Sequence, residues 1–234
     1  MPSKNFDKLK IEKLPNSEAQ VTGEMALPFL VECRAEALKA LGERVNIPGF
    51  RQGHIPEEVL TKNIGEMKIL EEVAEVALGR EYENIIKESK LLPLGRPQVA
   101  ITKLAPGIPL EFKITLALEP EFALPDYKKI ASEIKNEDKN KRRMEIVEAL
   151  SKATSIELPK IFVGRENQAK AEFIIAKIAE VEKIEPTKEE LEKEVNHIFS
   201  HHKDADPLRV RLFVYQMLRN QKTLEFLETR EQLL

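Results

Sequence analysis

Alternating apolar and polar residues in the first half of the chain predict two β-hairpins. Leu9–Leu14 and Ala19–Met25 lie on either side of a Pro-Asn-Ser turn, which favours a hairpin. Val99–Leu104 and Leu110–Leu118 flank a Pro-Gly turn, and Leu110–Leu118 has the clearest strand pattern in the sequence. We expect these four strands to form one antiparallel sheet.

Between the hairpins the apolar period lengthens to three or four residues, which predicts helices. Pro28 suits the first turn of one helix, Pro56 is expected to open a short second helix, and a third runs from Glu66 to about Lys90. The residues expected to end it are Pro93, Gly95 and Pro97. The apolar stripe of the first helix contains Leu30, Cys33, Ala37, Leu41 and Val45, and that of the third contains Met67, Leu70, Ala74, Ala77, Leu78, Tyr82, Ile85 and Ile86. The order ββαααββ predicts an α+β domain, with helices on one face of an antiparallel sheet.

The second half of the chain is predicted to be all-α. Lys135–Arg143 is a charged run without apolar residues, and four or five helices follow within residues 136–232. Thr187 and Glu190 have the spacing of a capping box, and Asp206-Pro207 suits a helix start. The expected breaks are Ser155–Leu158, Glu185-Pro186 and Lys203–Asp206.

These patterns divide the chain into three parts. They are an α+β domain of residues 1–132, a charged hinge of residues 133–143, and a helical domain of residues 144–234. In the hinge, Glu137 and Asp138 precede the basic residues, which favours a solvated segment over a nucleic-acid-binding one.

Composition and charge exclude several classes of protein. Of the 234 residues, 42% are hydrophobic, which provides material for a packed core and argues against disorder. The net charge of -3 provides no general attraction to nucleic acid. The single cysteine, Cys33, excludes an intramolecular disulfide framework and is expected to be a small buried hydrophobe in a reducing compartment. No apolar run approaches the ~20 residues that cross a bilayer, and the first six residues lack the apolar core of a signal peptide. We therefore expect a cytoplasmic protein that does not enter the membrane.

The loop of residues 47–56 is the most informative segment. Gly49 and Gly53 permit backbone conformations that a β-carbon would forbid, and prolines near both ends stiffen the loop. Phe50 and Arg51 lie between the glycines, and the loop contains no acidic residue. An aromatic residue beside an arginine is typical of an interface hot spot. The alternative is that Phe50 packs into its own core and Arg51 is only solvated.

Gly49-Phe50-Arg51-x-Gly53-x-x-Pro56 resembles the signature of trigger factor, the ribosome-associated chaperone family of bacteria. The resemblance covers roughly residues 7–130 in order, and includes Ile11–Ser17, Leu94–Pro97 and Leu118–Tyr127. The second half is similar to the C-terminal domain of the family. The segments that carry this similarity are Glu145–Leu150, Glu157–Pro159, Arg165-Glu166, Ile178–Leu191 and Leu224–Leu227.

The resemblance implies an ATP-independent chaperone that docks at the ribosomal tunnel exit and shields nascent polypeptides, in a family also associated with protein transport and cell division. The docking residues that it implies are Gly49, Phe50, Arg51, Gln52, Gly53 and His54, with a large-subunit protein as the partner. The family usually has a lysine in place of Gln52 and often a basic residue in place of His54, so the docking expected here is weaker. A minor contact of Lys139, Lys141, Arg142 and Arg143 with ribosomal RNA is the less favoured alternative to a solvated hinge. No cofactor is expected.

Two parts of the family pattern are reduced in this sequence. Between Ile134 and Arg143, where the family carries an isomerase domain of ~100 residues, only a few charged residues remain. The long arm helices of the family are shortened into one between Glu166 and Ile178. We therefore expect no enzymatic activity and no catalytic residues. The alternatives are a prolyl isomerase, as in full-length relatives, and a ribosome-free holdase or assembly chaperone.

Chaperone action needs exposed apolar surface rather than a catalytic constellation. We expect most apolar residues of the helical domain to form its core and a minority to bind clients. The candidates are Phe162, Phe173, Ile198, Phe199, Phe213 and Met217. His197 and His201 share a helix face, as metal ligands can, but the ligand set is incomplete, so we expect no metal site.

Overall fold

A computed structural model describes residues 5–202 and 204–229, and it confirms the α+β first half and the helical second half. The contacts divide the chain into two compact units, Met1–Glu119 and Pro120–Leu234. The predicted absence of a signal peptide depends on residues 1–6, of which 1–4 lie outside the described residues, as does Lys203 in the last predicted break.

The first unit contains a four-stranded antiparallel sheet in the order β1-β2-β4-β3. The strands are β1 (Phe6–Leu14), β2 (Glu18–Met25), β3 (Pro93–Lys103) and β4 (Leu110–Leu118). Both hairpins occur where the alternating pattern predicts them. Leu110, Phe112, Ile114 and Leu116 alternate along β4 and are buried in the core that the sheet shares with the helices.

Three helices connect the two hairpins, as the sequence predicts. They are α1 (Leu27–Arg44), α2 (Glu57–Ile64) and α3 (Glu66–Ser89). The stripe predicted for α3 is partly wrong, because Met67 is 50% exposed while Ile69 and Val73 are buried. Because residues 69–70, 73–74 and 77–78 are apolar pairs, the sequence does not decide which side of α3 faces the core. In the structure, the side that carries Ile69 packs against the sheet.

Strand β3 begins at Pro93, six residues before the predicted start at Val99. Prolines are tolerated here because β3 is an edge strand, where a missing N–H leaves no ladder partner unsatisfied. The register with β4 shifts between Leu94 and Gln98, around Gly95, whose φ is +69°. Pro93, Gly95 and Pro97 therefore lie within an irregular strand and do not only mark the end of a helix.

The second unit is helical. Its helices are α4 (Tyr127–Glu133), α5 (Lys139–Ala153), α6 (Glu166–Val181), α7 (Lys188–His201) and α8 (Pro207–Glu228), with a 3-10 turn at Lys160–Phe162. The last four confirm the predicted helix number and breaks. Within the residues that the structure describes, no helix is long and apolar enough to span a membrane.

The predicted domain boundary at residue 132 and the predicted hinge need correction. Helix α4 belongs to the second unit, since Ala131 is buried in a core with Ile146 of α5 and the Lys128 Nζ lies 3.0 Å from the Glu182 carboxylate. Asp138 caps α5 through the backbone N–H groups of residues 140 and 141. The second part of the predicted hinge is therefore the first turn of a packed helix.

The capping box predicted at the start of α7 is present. The Thr187 hydroxyl accepts from the Glu190 N–H at 3.3 Å, and the Glu190 carboxylate accepts from the Thr187 N–H at 2.7 Å. Lys222 of α8 also lies 2.8 Å from that carboxylate. The bonds from Lys222 and Thr187 lower the pKa of Glu190 to about 2.

Glu190→Gln is therefore expected to weaken the dependence of stability on pH. A carboxylate whose pKa is depressed on folding stabilises the protein above its unfolded pKa, about 4.3, and this contribution is lost as the pH falls toward 2. Urea unfolding at pH 7 and pH 3 should show a smaller difference in the variant than in the wild type. Glu189→Gln, on the same helix turn but outside the capping box, is the control. An equal effect of the two substitutions would contradict this role of Glu190.

Candidate functional sites

Two consecutive β-turns form the loop between α1 and α2. In the first, the Phe50 N–H donates to the Ile47 carbonyl at 3.1 Å; in the second, the His54 N–H donates to the Arg51 carbonyl at 3.0 Å. Gly49 and Gly53 occupy the third positions of these turns, with φ values of +89° and +79°. Type II turns need this conformation at that position, and a β-carbon disfavours it. The loop is therefore locally defined by its own hydrogen bonds.

The base of the loop is attached to α1. The Gly53 N–H donates to the Gly42 carbonyl at 2.9 Å, which satisfies one of the last carbonyls of the helix. A β-carbon added to Gly42 would lie 3.9 Å from the Gly53 Cα, an ordinary van der Waals contact, so the attachment depends on the Gly42 backbone carbonyl and not on the absence of a side chain. Ile47 is buried at the start of the loop. These contacts fix the base and leave the tip outside the core.

The tip exposes Phe50 and Arg51 to solvent. Phe50 is 41% exposed, which contradicts the alternative that it packs into its own core. The Arg51 guanidinium forms neither a hydrogen bond nor an ion pair with any residue in the described part of the chain; only the Arg51 backbone carbonyl is bonded, in the second turn. Arg44, at the end of α1, is instead paired with Glu72. Of these two arginines, Arg51 is therefore the one whose charge can contact a partner molecule.

Arg34 holds the helix that follows the loop. Its Nη1 and Nη2 atoms donate to the Glu66 carboxylate at 2.7 and 3.0 Å, and its Nε donates to Glu57 at 2.8 Å. The bonds from Arg34 lower the pKa of the Glu66 carboxyl. Because Glu57 begins α2 and Glu66 begins α3, one guanidinium connects three helices in a fixed geometry.

Gly49→Ala is expected to lower the free energy of unfolding by about 1 kcal/mol, because its positive φ strains an L side chain. No atom lies within 4 Å of the added β-carbon, so the effect isolates the backbone. Gly79→Ala is the matched control: its β-carbon also meets nothing within 4 Å, but it lies inside α3. It should stabilise by about 0.5–1 kcal/mol. Urea unfolding measures both, and a change of the same sign in both variants would contradict the strained turn.

The apolar residues predicted to bind clients differ in exposure. Phe213 is 60% exposed and Met217 is 39% exposed, both on α8. Phe162 is buried, so its place in a client-facing set is wrong. Its ring packs edge-to-face against half-buried Phe173, with centroids 5.5 Å apart, and contacts the Arg165 guanidinium. The Phe162 and Phe173 rings therefore both contribute to packing within the helical unit.

Ile198 and Phe199 are also largely structural, because they pack, partly buried, against a small core between α7 and α8. Residues of that core include Val195, Val210 and Val214. The exposed apolar side chains of α8 form what we call the α8 apolar face. It consists of Leu208, Leu212, Phe213 and Met217.

The two histidines considered as metal ligands contact each other. The ring centroids of His197 and His201 are 5.2 Å apart in an edge-to-face arrangement. Among residues 5–202 and 204–229, no group of three or more His, Cys, Asp or Glu side chains could hold a metal ion. The two rings therefore pack against each other on one face of α7.

The fold and the loop define a class: an α+β domain that carries a fixed aromatic loop, followed by a helical unit. A family model described as "Bacterial trigger factor protein (TF)" matches residues 8–153, more than half of the chain. The chain belongs to the trigger factor family, and the resemblance seen in the sequence is confirmed.

Relatives and a solved structure agree with this assignment. The trigger factor of Cutibacterium acnes is 35% identical over 124 residues, 53% of this chain and 23% of the relative. That of Moorella thermoacetica is 36% identical over 120 residues, 51% of this chain and 27% of the relative. The matches thus span about a quarter of the length of these relatives. A structure described as "Promiscuous Substrate Recognition in Folding and Assembly Activities of the Trigger Factor Chaperone" has the same fold, with a TM-score of 0.59 at 12% identity, over 97% of this chain and 100% of that one.

Sequence reasoning missed the residues that support the loop. Ile47 had a signal, since an apolar residue in a polar loop favours burial. Gly42 had none, because it supports the loop through its backbone carbonyl, which every residue type has. Arg34 had no local signal, because its partners lie 23 and 32 residues further along the chain.

Proposed function

We propose that this chain is a chaperone that docks at the ribosomal tunnel exit through residues 49–54 and shields nascent polypeptides without ATP. One observation carries the proposal: Phe50 and Arg51 are exposed on two turns whose base is fixed to α1. A preorganised aromatic residue and an unpaired guanidinium suit the anchor positions of an interface. The proposed partner is a large-subunit protein at the tunnel exit. Gly49 and Gly53 shape the contact, and Gln52 and His54 flank it.

The helical unit supplies the client-binding surface in this proposal. Phe213 and Met217 lie on the exposed α8 apolar face, and Met144 and Val163 are further exposed apolar residues of the unit. Exposed apolar surface of this kind binds many unfolded segments weakly. Docking at the tunnel exit raises the effective concentration of this surface near the emerging chain. Promiscuous substrate recognition is described for the trigger factor chaperone that shares this fold, which supports such a role.

A minor contact with ribosomal RNA through the start of α5 has weaker support. Lys139 and Arg143 both pair with Glu228, at 3.6 Å in the case of Lys139. The basic run predicted for this contact is therefore partly engaged inside the helical unit. Lys141, which is exposed, is the residue of the run best placed to reach a phosphate.

We infer that the chain is not a prolyl isomerase. The family places that domain between Ile134 and Arg143, where residues 134–138 alone separate α4 from α5. All strands of the described residues lie in the N-terminal sheet, which leaves no separate β-rich domain in that part of the chain. Refolding of a protein limited by a proline isomerisation should proceed at the same rate with and without this chain. Clear acceleration would favour the enzymatic alternative.

The ribosome-free holdase or assembly chaperone is the second candidate, because Gln52 and His54 replace residues that are usually basic in the family. Two assays on the same preparation separate the candidates. A docking chaperone should suppress aggregation of a chemically denatured client without ATP and also co-sediment with purified large subunits. A ribosome-free holdase should only suppress aggregation. Failure in both assays would contradict both candidates.

A further inference from the structure

Arg209 is an exposed cation in the middle of the α8 apolar face. Leu212 follows it by three residues and Phe213 by four, spacings that place side chains next to one another on a helix surface. Leu208 and Phe213 are 67% and 60% exposed. This spacing places the guanidinium among large apolar side chains that are exposed in the described part of the unit.

In the part of the chain that the structure describes, the other cations of α8 are paired and the Arg209 guanidinium is not. Arg211 lies 2.7 Å from Glu192, Lys222 lies 2.8 Å from Glu190, and Arg219 lies 3.9 Å from Glu185 and donates to the Ile184 carbonyl at 3.2 Å. These partners lie on α7 or in the loop before it. The Arg209 guanidinium has no ion pair or hydrogen bond with any residue in 5–202 or 204–229.

The position of Arg209 along the helix gives it no evident role in stability. Asp206 caps α8, and its carboxylate accepts from the Arg209 backbone N–H at 3.0 Å, so Arg209 lies in the first turn. The helix macrodipole disfavours a cation at this end. A carboxylate on a bound ligand could accept hydrogen bonds from the free Arg209 guanidinium. The macrodipole would also stabilise its negative charge at this end of the helix.

We propose that the α8 apolar face binds client segments in which a carboxylate lies next to large apolar side chains. This inference rests on the proposed function and specifies its clients. The apolar part of the segment covers Leu212 and Phe213, and the carboxylate accepts hydrogen bonds from Arg209. Covering the apolar side chains removes water from the guanidinium, which strengthens the ion pair. A lysine at the same place in the segment is repelled.

The test uses the full chain and three fluorescein-labelled peptides with the same apolar residues. They differ at one position between two leucines, which is Glu, Gln or Lys. Fluorescence anisotropy should show binding of the Glu peptide about fivefold tighter than that of the Lys peptide, as expected for a partly shielded ion pair. Arg209→Gln should remove this preference, and Arg209→Glu should reverse it. The matched control is Arg211→Gln on the same helix, which should keep the preference because Arg211 is already paired with Glu192.

The outcomes separate this inference from the proposed function. Equal binding of all three peptides to the wild type, or an unchanged preference in Arg209→Gln, contradicts the inference and leaves client binding intact. No measurable binding of any peptide contradicts both. Phe213→Ser should weaken the Glu and Lys peptides alike, because the apolar contact is common to both. A loss restricted to the Glu peptide would contradict the shared apolar contact.

Discussion

Replacing Phe50 and Arg51 together by alanine is expected to weaken binding to large ribosomal subunits by roughly 100-fold. The turns hold both side chains outward, so they reach a partner without rearrangement of the loop. Residues with these properties contribute most of the binding energy at many interfaces. Co-sedimentation over a range of subunit concentrations measures the change in affinity.

The matched control for this variant is Leu92→Ala/Arg96→Ala. It also removes one exposed apolar side chain and one exposed arginine, in the same unit but away from the loop. It should bind like the wild type, and both variants should keep the wild-type circular dichroism spectrum because none of the four residues is in the core. Equal loss of binding in the two variants, or no loss in either, would contradict docking through the tip.

Arg143→Ala is expected to destabilise the helical unit by about 3 kcal/mol. Arg143 is paired through Nε with Glu228, whose side chain is 5% exposed, and its Nη2 donates to the second carboxylate oxygen at 3.3 Å. Among the described residues, removing the guanidinium leaves the buried carboxylate paired only with Lys139, at 3.6 Å. Urea unfolding followed by circular dichroism measures the effect.

Two further variants isolate the cause of this effect. Lys152→Ala breaks the exposed pair with Glu148 on the same helix and should change stability by less than about 0.5 kcal/mol. Arg143→Met combined with Glu228→Leu removes both charges and should recover most of the loss. If Arg143→Ala were as mild as Lys152→Ala, the segment would be the solvated hinge that its sequence suggests.

The sequence was sufficient for those parts of the fold that depend on local pattern. Alternation in Leu110–Leu118 identifies a strand with one buried face, and the Thr187–Glu190 spacing identifies a helix start. In the loop, glycines at the third positions of both turns follow from backbone sterics alone. Each of these features depends only on residues that lie close together in the sequence.

Features that depend on distant contacts could not be predicted. Phe162 and Phe213 are both aromatic residues of the helical half, but only packing against Phe173 decides that the first is buried. The charged run before Arg143 resembles a solvated hinge until α8 brings Glu228 to it, 85 residues away in sequence. Burial and ion pairing of this kind are set by tertiary structure.

Photo-crosslinking from the loop tip tests docking most directly. Phe50→benzoylphenylalanine places a reactive group at the position of the exposed ring, and irradiation is performed with purified large subunits. We predict a crosslink to one protein at the tunnel exit, which is suppressed by excess wild-type chain but not by excess Phe50→Ala/Arg51→Ala. The absence of a crosslink, or equal suppression by both competitors, would contradict docking through Phe50 and Arg51.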